Sequence, residues 1–267
     1  MALRVTILGC GGSGGVPLVG GANGGGDWGA CDPFEPRNQR TRTSALVEGP
    51  DGGRLLIDAG PDLRRQLLAA RVARLDAVLF THDHADHILG IDDLRQVNRV
   101  TGRALEAFGT RTTLQKLDDR FDYAFLGATP PFFFRPALEP RRIEPGERFR
   151  IAGMAVEVFR QDHGVMDSLG VRIGGFAYST DVVALPEESL PALRGLDTWV
   201  VGCFLRRGPH KVHANLDQVL RWVERLRPRR TVLTHMGTSM DYRGLLRELL
   251  AGIEPGFDGM VLEVPTG

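Results

Sequence analysis

Leu79-Phe80-Thr81-His82-Asp83-His84-Ala85-Asp86-His87 decides how the remaining residues are read. An apolar run at 77–81 predicts a strand that ends directly in three histidines and an aspartate. On extended chain, side chains alternate in direction, so His82 and His84 point the same way. Asp86 and His87 follow where the backbone turns over into Ile88-Leu89-Gly90, and they diverge from the first pair. Such a cluster supplies imidazole and carboxylate ligands to two metal ions rather than one. Four potential ligands at 82–87, immediately after an apolar strand, mark a metal site more specifically than a polar loop with incidental histidines.

The composition sets the frame. A chain of 267 residues, 42% hydrophobic and 25% charged, reads as one large domain or two halves sharing a core. Its 33 basic and 33 acidic residues cancel, so no overall field draws in nucleic acid or an acidic membrane. Cys10, Cys31 and Cys203 are too few and too scattered for a disulfide framework or a four-thiolate zinc site, which fits a reducing compartment. The N-terminus enters a strand at once without a signal-peptide pattern, and no run reaches the length of a membrane span. A cytoplasmic location is expected.

Working outward from the motif, strands are predicted at 3–8, 43–48 and 54–58, the last two flanking a Pro50-Asp51-Gly52-Gly53 turn. A helix at 61–70 begins at Pro61. Gly9, Gly11 and Gly14 match a dinucleotide-binding G-x-G-x-x-G pattern. That motif needs a helix opening at its third glycine, and here Val16-Pro17 and a second glycine-rich run follow, so the match is rejected. The glycines read as bare backbone passing close to the metal site or a substrate. Arg37, Arg40 and Arg42 form a basic cluster that either meets a phosphate or lies in a solvated loop. Asp58 is either a partner beneath the histidines or a helix cap.

Beyond the motif, helices are predicted at 92–98 and 110–125, a strand at 103–108, and a Pro- and Phe-rich loop at 130–140 containing Phe132-Phe133-Phe134. The second half alternates similarly, with strands at 148–151, 154–159, 169–173, 176–179, 198–204, 231–234 and 260–264. Helices fall at 190–194, 216–226 and 242–250. His163, Asp181 and His235 each sit just after one of these strands. If those strands share sheets, their ends lie along one edge, where functional loops gather.

His-x-His-x-Asp-His followed by a distant His, Asp and His resembles the metallo-β-lactamase-fold hydrolases. The resemblance spans essentially the whole chain. It implies an α/β fold, a four-layer αββα sandwich, formed by residues 1–267 as a single domain of two similar halves. It implies that His82, His84 and His163 hold one metal ion, that Asp86, His87 and His235 hold the other, and that Asp181 bridges them. Within that superfamily the chain is most similar to the phosphoribosyl cyclic phosphate phosphodiesterase group. The shared features are the Val16-Pro17 entry, Leu56-Ile57-Asp58-Ala59-Gly60, Thr180-Asp181, and His213 ahead of a Leu-rich helix. One departure stands out. That group has a Cys-x-Cys-x-x-Cys cluster and an extra His that bind a structural zinc, whereas here Cys31 is almost alone and Thr238 takes the place of the His. No structural zinc is expected.

The implied activity is a dinuclear phosphodiesterase acting on a small cyclic or linear ribose or nucleotide phosphodiester. A metal-bridging hydroxide would attack phosphorus, and His213 rather than His210 would protonate the leaving oxygen. Asp86 counts with His213 among the catalytic residues as well as among the ligands. Arg42 is the candidate substrate contact and Asp58 the candidate support for a ligand. Thiolate-free ligation suits zinc, manganese or iron, and the resemblance favours manganese or zinc. A homodimer is the usual arrangement of the group. A tRNA 3′-processing endonuclease is the first alternative, but such enzymes carry a tRNA-binding arm between the third histidine and the bridging aspartate, and here only residues 164–180 intervene. A thioester, lactone or β-lactam hydrolase is the second, since a fold does not choose a substrate.

Overall fold

The computed structural model describes residues 2–126 and 136–265. Its first half contains β1 (Ala2–Gly9), β2 (Ser44–Glu48), β3 (Arg54–Ile57), α1 (Leu63–Ala69), β4 (Ala77–Leu79), α2 (Ala85–Ile88), α3 (Leu94–Thr101), β5 (Leu105–Gly109), α4 (Arg111–Phe125) and β6 (Leu138–Arg142). The second half contains β7 (Arg148–Ile151), β8 (Met154–Asp162), β9 (Asp167–Ile173), β10 (Phe176–Ser179), β11 (Thr198–Gly202), α5 (Leu216–Leu226), β12 (Arg230–Thr234), α6 (Tyr242–Glu248), β13 (Ile253–Pro255) and β14 (Met260–Pro265). Among the described residues these strands make two seven-stranded sheets, ordered β14-β1-β2-β3-β4-β5-β6 and β13-β12-β11-β10-β9-β8-β7.

The alternation of side chains along the strands builds the layers. Leu55 and Ile57 of β3, with Ala77 and Leu79 of β4, point into a core shared with Val156, Val158, Tyr178 and Trp199 of the second sheet. Their neighbours Leu56, Val78 and Phe80 point the other way, into a second core beneath α1, α3 and α4. Each such fully buried aliphatic side chain is worth about 1.5–3 kcal/mol relative to exposure. On the far side of the second sheet, α5 buries Leu216, Val219 and Leu226, and α6 buries Leu245. Helix–sheet–sheet–helix layering is therefore the observed architecture, as the sequence led us to expect.

The two sheets pair their strands by the same rule. Reading from β14 to β6, three antiparallel contacts are followed by three parallel ones. From β7 to β13 the same succession recurs. Under this correspondence β3 matches β10, and each delivers an aspartate with positive φ just beyond its end: Asp58 (φ 63°) and Asp181 (φ 44°).

Two strands escaped the sequence pattern, β6 and β13. Both lie on sheet edges and both contain proline, Pro140 and Pro255. An edge strand tolerates a residue that cannot donate a ladder hydrogen bond, so proline there does not exclude a strand. The loop expected at 130–140 thus ends earlier, at β6, and Phe132-Phe133-Phe134 lie outside the described residues. The short helix expected at 190–194 is a 3₁₀ segment, Glu187–Leu193. Among the described residues no helix is long and apolar enough to cross a membrane.

Candidate metal centre

The opening motif is held from below by the loop after β3. Asp58 Oδ1 accepts from the Thr81 backbone N–H at 2.8 Å, and Oδ2 lies 2.7 Å from His87 Nδ1. That contact leaves His87 Nε2 as the free ring nitrogen and fixes the ring plane. The Ala59 N–H donates to the His87 carbonyl at 2.8 Å, and the Gly90 N–H to the Ala59 carbonyl at 2.8 Å, so the turn 86–90 is stitched onto residues 58–60. Gly60 is required by this closeness: a Cβ there would sit 2.2 Å from the Asp86 carbonyl oxygen. Asp83 faces α4, where Lys116 Nζ lies 3.1 Å and Arg120 Nη2 2.9 Å from its carboxylate.

The second half contributes from three strand ends. His163 follows β8, and its Nδ1 lies 2.7 Å from the Val212 carbonyl, which leaves Nε2 free. Asp181 follows β10 by two residues, and His235 directly follows β12 with φ 51°. These ends lie on the same edge as the end of β4, and seven candidate ligands from both halves meet there. They fall into two groups, His82, His84, His163 and Asp181 on one side and Asp86, His87, Asp181 and His235 on the other. Within each group, one donor atom per residue lies within 4.8 Å of all the others.

Asp181 belongs to both groups through different oxygens. Its Oδ1 lies 3.3 Å from His87 Nε2 and 3.0 Å from His235 Nε2. Its Oδ2 lies 3.6 Å from His82 Nε2 and 3.3 Å from His163 Nε2. Asp86 Oδ2 completes the first set at 3.2 Å from His87 Nε2 and 3.5 Å from His235 Nε2. In the other, His84 Nδ1 lies 3.2 Å from His163 Nε2.

This donor set fits divalent metal ions. His82 Nε2, Asp86 Oδ2, His87 Nε2 and His235 Nε2 are buried and make no hydrogen bond among the described residues, a costly condition for polar atoms that lack a cation. Burial alone would raise the Asp181 carboxyl, but the imidazoles of His235 and His87 hold it well below the usual carboxylate range. Asp86 is likewise held low, against its burial, by His87 and His235. Burial keeps His82 and His163 neutral, with lone pairs available. His87 goes the other way: despite burial, the carboxylates of Asp181, Asp58 and Asp86 raise it well above the ordinary histidine value. A cation in place of that proton would satisfy the same carboxylates.

His213 stands beside the ligands. Its ring centroid is 5.0 Å from His163 and 4.7 Å from His235, and its Nδ1 lies 4.0 Å from Asp181 Oδ2. Burial, then the neighbouring His235, pushes it down to about 3. His210 is closer than its place in the sequence implied. The loop folds back and stacks its ring 5.0 Å from that of His213. Phe204 was not singled out from the sequence, yet its ring is 4.9 Å from His213 and 6.0 Å from His235. Its only sequence signal is an aromatic residue just past the end of β11.

The arginines of the basic cluster make contacts within the protein. Arg42 pairs with Asp62, its Nη1 3.1 Å from both carboxylate oxygens. Arg37 pairs with Glu35 at 2.6 Å and lies over the Tyr242 ring. Arg40 is buried, donating to the Met240 carbonyl at 2.6 Å and to Asn38 Oδ1 at 3.1 Å. Near it, Cys31 Sγ donates to the Thr238 carbonyl at 3.4 Å. This buried network joins the 27–42 loop to the segment that follows His235.

Comparison with known proteins places this geometry. Residues 53–236 match the family model described as the beta-lactamase superfamily domain. The chain belongs to that superfamily. It has the metallo-β-lactamase fold, and a crystal structure of a diphosphatase from the PhnP family superposes with a TM-score of 0.88 at 33% identity, covering 98% of this chain and 97% of that one. Among curated proteins, an octanoyltransferase of Porphyromonas gingivalis is 32% identical over 259 residues, 97% of this superfamily member but 51% of that protein. Ribonuclease Z of Methanopyrus kandleri is 31% identical over 133 residues, 49% of this chain and 43% of that enzyme. The chain thus spans about half the length, or less, of these two curated relatives.

Proposed function

We propose that this superfamily member is a dinuclear metal-dependent phosphodiesterase acting on a small phosphodiester, with zinc or manganese as the ions. The observation that carries this reading is Asp181, whose two oxygens face two separate groups of ligand atoms. His82, His84 and His163 would hold one ion, Asp86, His87 and His235 the other, and Asp181 both. When bound, such ions lower the pKa of water and neutralise charge on phosphoryl oxygens.

The chain's own residues do the rest. Asp58 fixes the ring of His87 and, through Thr81, the start of the motif. The Val212 carbonyl orients His163 and anchors the loop that carries His213. His213, at the rim of the ligand groups, would pass a proton to the leaving oxygen, a contribution of about 10²- to 10⁴-fold. Held down to about 3 by burial and His235, it would gain that proton only beside the anionic diester, whose charge would raise it. Asp86 would serve as a ligand and count with His213 among the catalytic residues.

The similarity to a diphosphatase and a ribonuclease supports cleavage at phosphorus. Ribonuclease Z-like processing is the second reading, favoured by that partial sequence match. Against it, residues 164–180 are taken up by β9, β10 and their short connections, with no room for an inserted arm. The octanoyltransferase similarity leaves about half of that protein without a counterpart, so acyl transfer gains no support from it. The test is a panel of cyclic and linear phosphodiesters, a thioester and a pre-tRNA, assayed with manganese and with zinc. Turnover confined to the small diesters is expected. Metal-loaded protein that cleaves only the thioester or only the pre-tRNA would overturn the reading. A homodimer is the proposed assembly, to be checked by light scattering.

A further inference from the structure

We infer that Phe204 and His210 form a stacking subsite for a nucleobase, so that the diester cleaved beside His213 carries a nucleoside rather than a bare sugar. The inference rests on the phosphodiesterase reading and names the organic part of its substrate.

Three rings meet at the rim of the metal centre. Phe204 and His210 lie 5.2 Å apart, His210 and His213 5.0 Å apart and nearly parallel, and Phe204 and His213 4.9 Å apart. None of the three is fully buried, the His213 side chain being 12% exposed. His163 and His235, which adjoin His213, are buried, as is Asp181, so the open ring surface lies just beyond the ligands. A leaving oxygen that takes a proton from His213 must lie next to it, and the group attached to that oxygen then meets Phe204 and His210. Aromatic and imidazole rings are the surfaces on which unpaired bases stack. His210 also has polar edges for the rim of a base. Among the described residues its Nδ1 receives only a long contact, from the Val212 N–H at 3.4 Å.

The glycine-rich entry loop makes room for this arrangement. A Cβ on Gly12 would lie 2.6 Å from Phe204 Cε2 and 3.5 Å from His235 Cε1. Bare backbone at position 12 is therefore what lets the Phe204 ring lie between the entry loop and the histidines. The loop carrying His210 is fixed as well, since the Val212 carbonyl is bound by His163.

Two measurements on the metal-loaded protein test this. In the first, adenosine 3′,5′-cyclic phosphate is compared with a base-free cyclic ribose phosphate for wild type, Phe204→Leu, Phe204→Tyr and His210→Ala. Removing a stacking partner should raise KM for the nucleotide about tenfold, leave the base-free substrate unchanged, and be rescued by Tyr. In the second, calorimetry compares AMP with ribose 5-phosphate, a readout independent of turnover. AMP should bind at least tenfold tighter, and Phe204→Leu should abolish the difference. Equal binding of the two by wild type would overturn the subsite even if diesters are cleaved. Absence of diester cleavage with the AMP preference intact would instead remove the phosphodiesterase reading and leave the subsite standing. Inclusion of a single-stranded oligonucleotide in the kinetic panel distinguishes a free nucleotide from the end of a strand as the source of the base. Unchanged metal content and melting temperature in each variant show that the fold is intact.

Discussion

Asparagine at position 181 would keep the shape of the side chain but offer one oxygen ligand where aspartate offers two. Because Oδ1 and Oδ2 face different ligand groups, Asp181→Asn should cut the metal content to one ion per chain or fewer, read by elemental analysis. His213→Ala should behave in the opposite way. His213 lies outside both ligand groups, so the variant should retain its metal while turnover falls about 10²- to 10⁴-fold. Loss of metal from His213→Ala would show that it is a ligand and not a proton donor. His82, His84, Asp86 and His87 were legible because they crowd into one short stretch. His163, Asp181 and His235 were legible as a recurring position after strands. Phe204 and the folding back of His210 were not, since neither a lone aromatic nor a loop histidine has a spacing that marks it.

At the scale of elements, the metal motif depends on how closely the turn after β4 approaches the turn after β3. A methyl group at position 60 would meet the Asp86 backbone, which has no room to move without shifting His87. Gly60→Ala should therefore destabilise the protein by about 1–3 kcal/mol in denaturant unfolding and weaken metal binding along with it. The strands that the sequence concealed, β6 and β13, share one cause. Edge position permits proline and reduces the need for apolar residues, so the alternation that reveals central strands is missing.

At the scale of the molecule, the C-terminal segments must be held against the N-terminal loop for His235 to face Asp86. Glu35 is part of that attachment. Its buried carboxylate accepts from Arg37 and from Arg243 of α6 at 2.5 Å. The Arg37 hydrogen bonds, overcoming burial, lower it from 4.5 to about 2. A carboxyl depressed in the folded state adds stability in full above its unfolded pKa and loses it as pH falls through the folded one. Glu35→Gln should thus reduce the unfolding free energy at neutral pH by about 1 kcal/mol, given that both arginines are partly exposed, and the melting temperature should fall with it. The gap to wild type should close between about pH 4.5 and 2. A gap that stays constant across that range would refute the assignment.

Local sequence determined most of the strand and helix pattern and marked His82, His84, Asp86 and His87 as a candidate ligand cluster, because side-chain alternation, helical period and ligand spacing act between residues close together in the chain. The layered fold class and the wider ligand set were implied by the family resemblance of the whole sequence. The pairing of Asp181 oxygens with two ligand groups was decided only by the tertiary structure. So were the diversion of Arg37, Arg40 and Arg42 into internal contacts, and the ring cluster of Phe204, His210 and His213. Those arrangements join residues far apart along the chain. The distances between them are set by how the two sheets pack, and no local pattern encodes that.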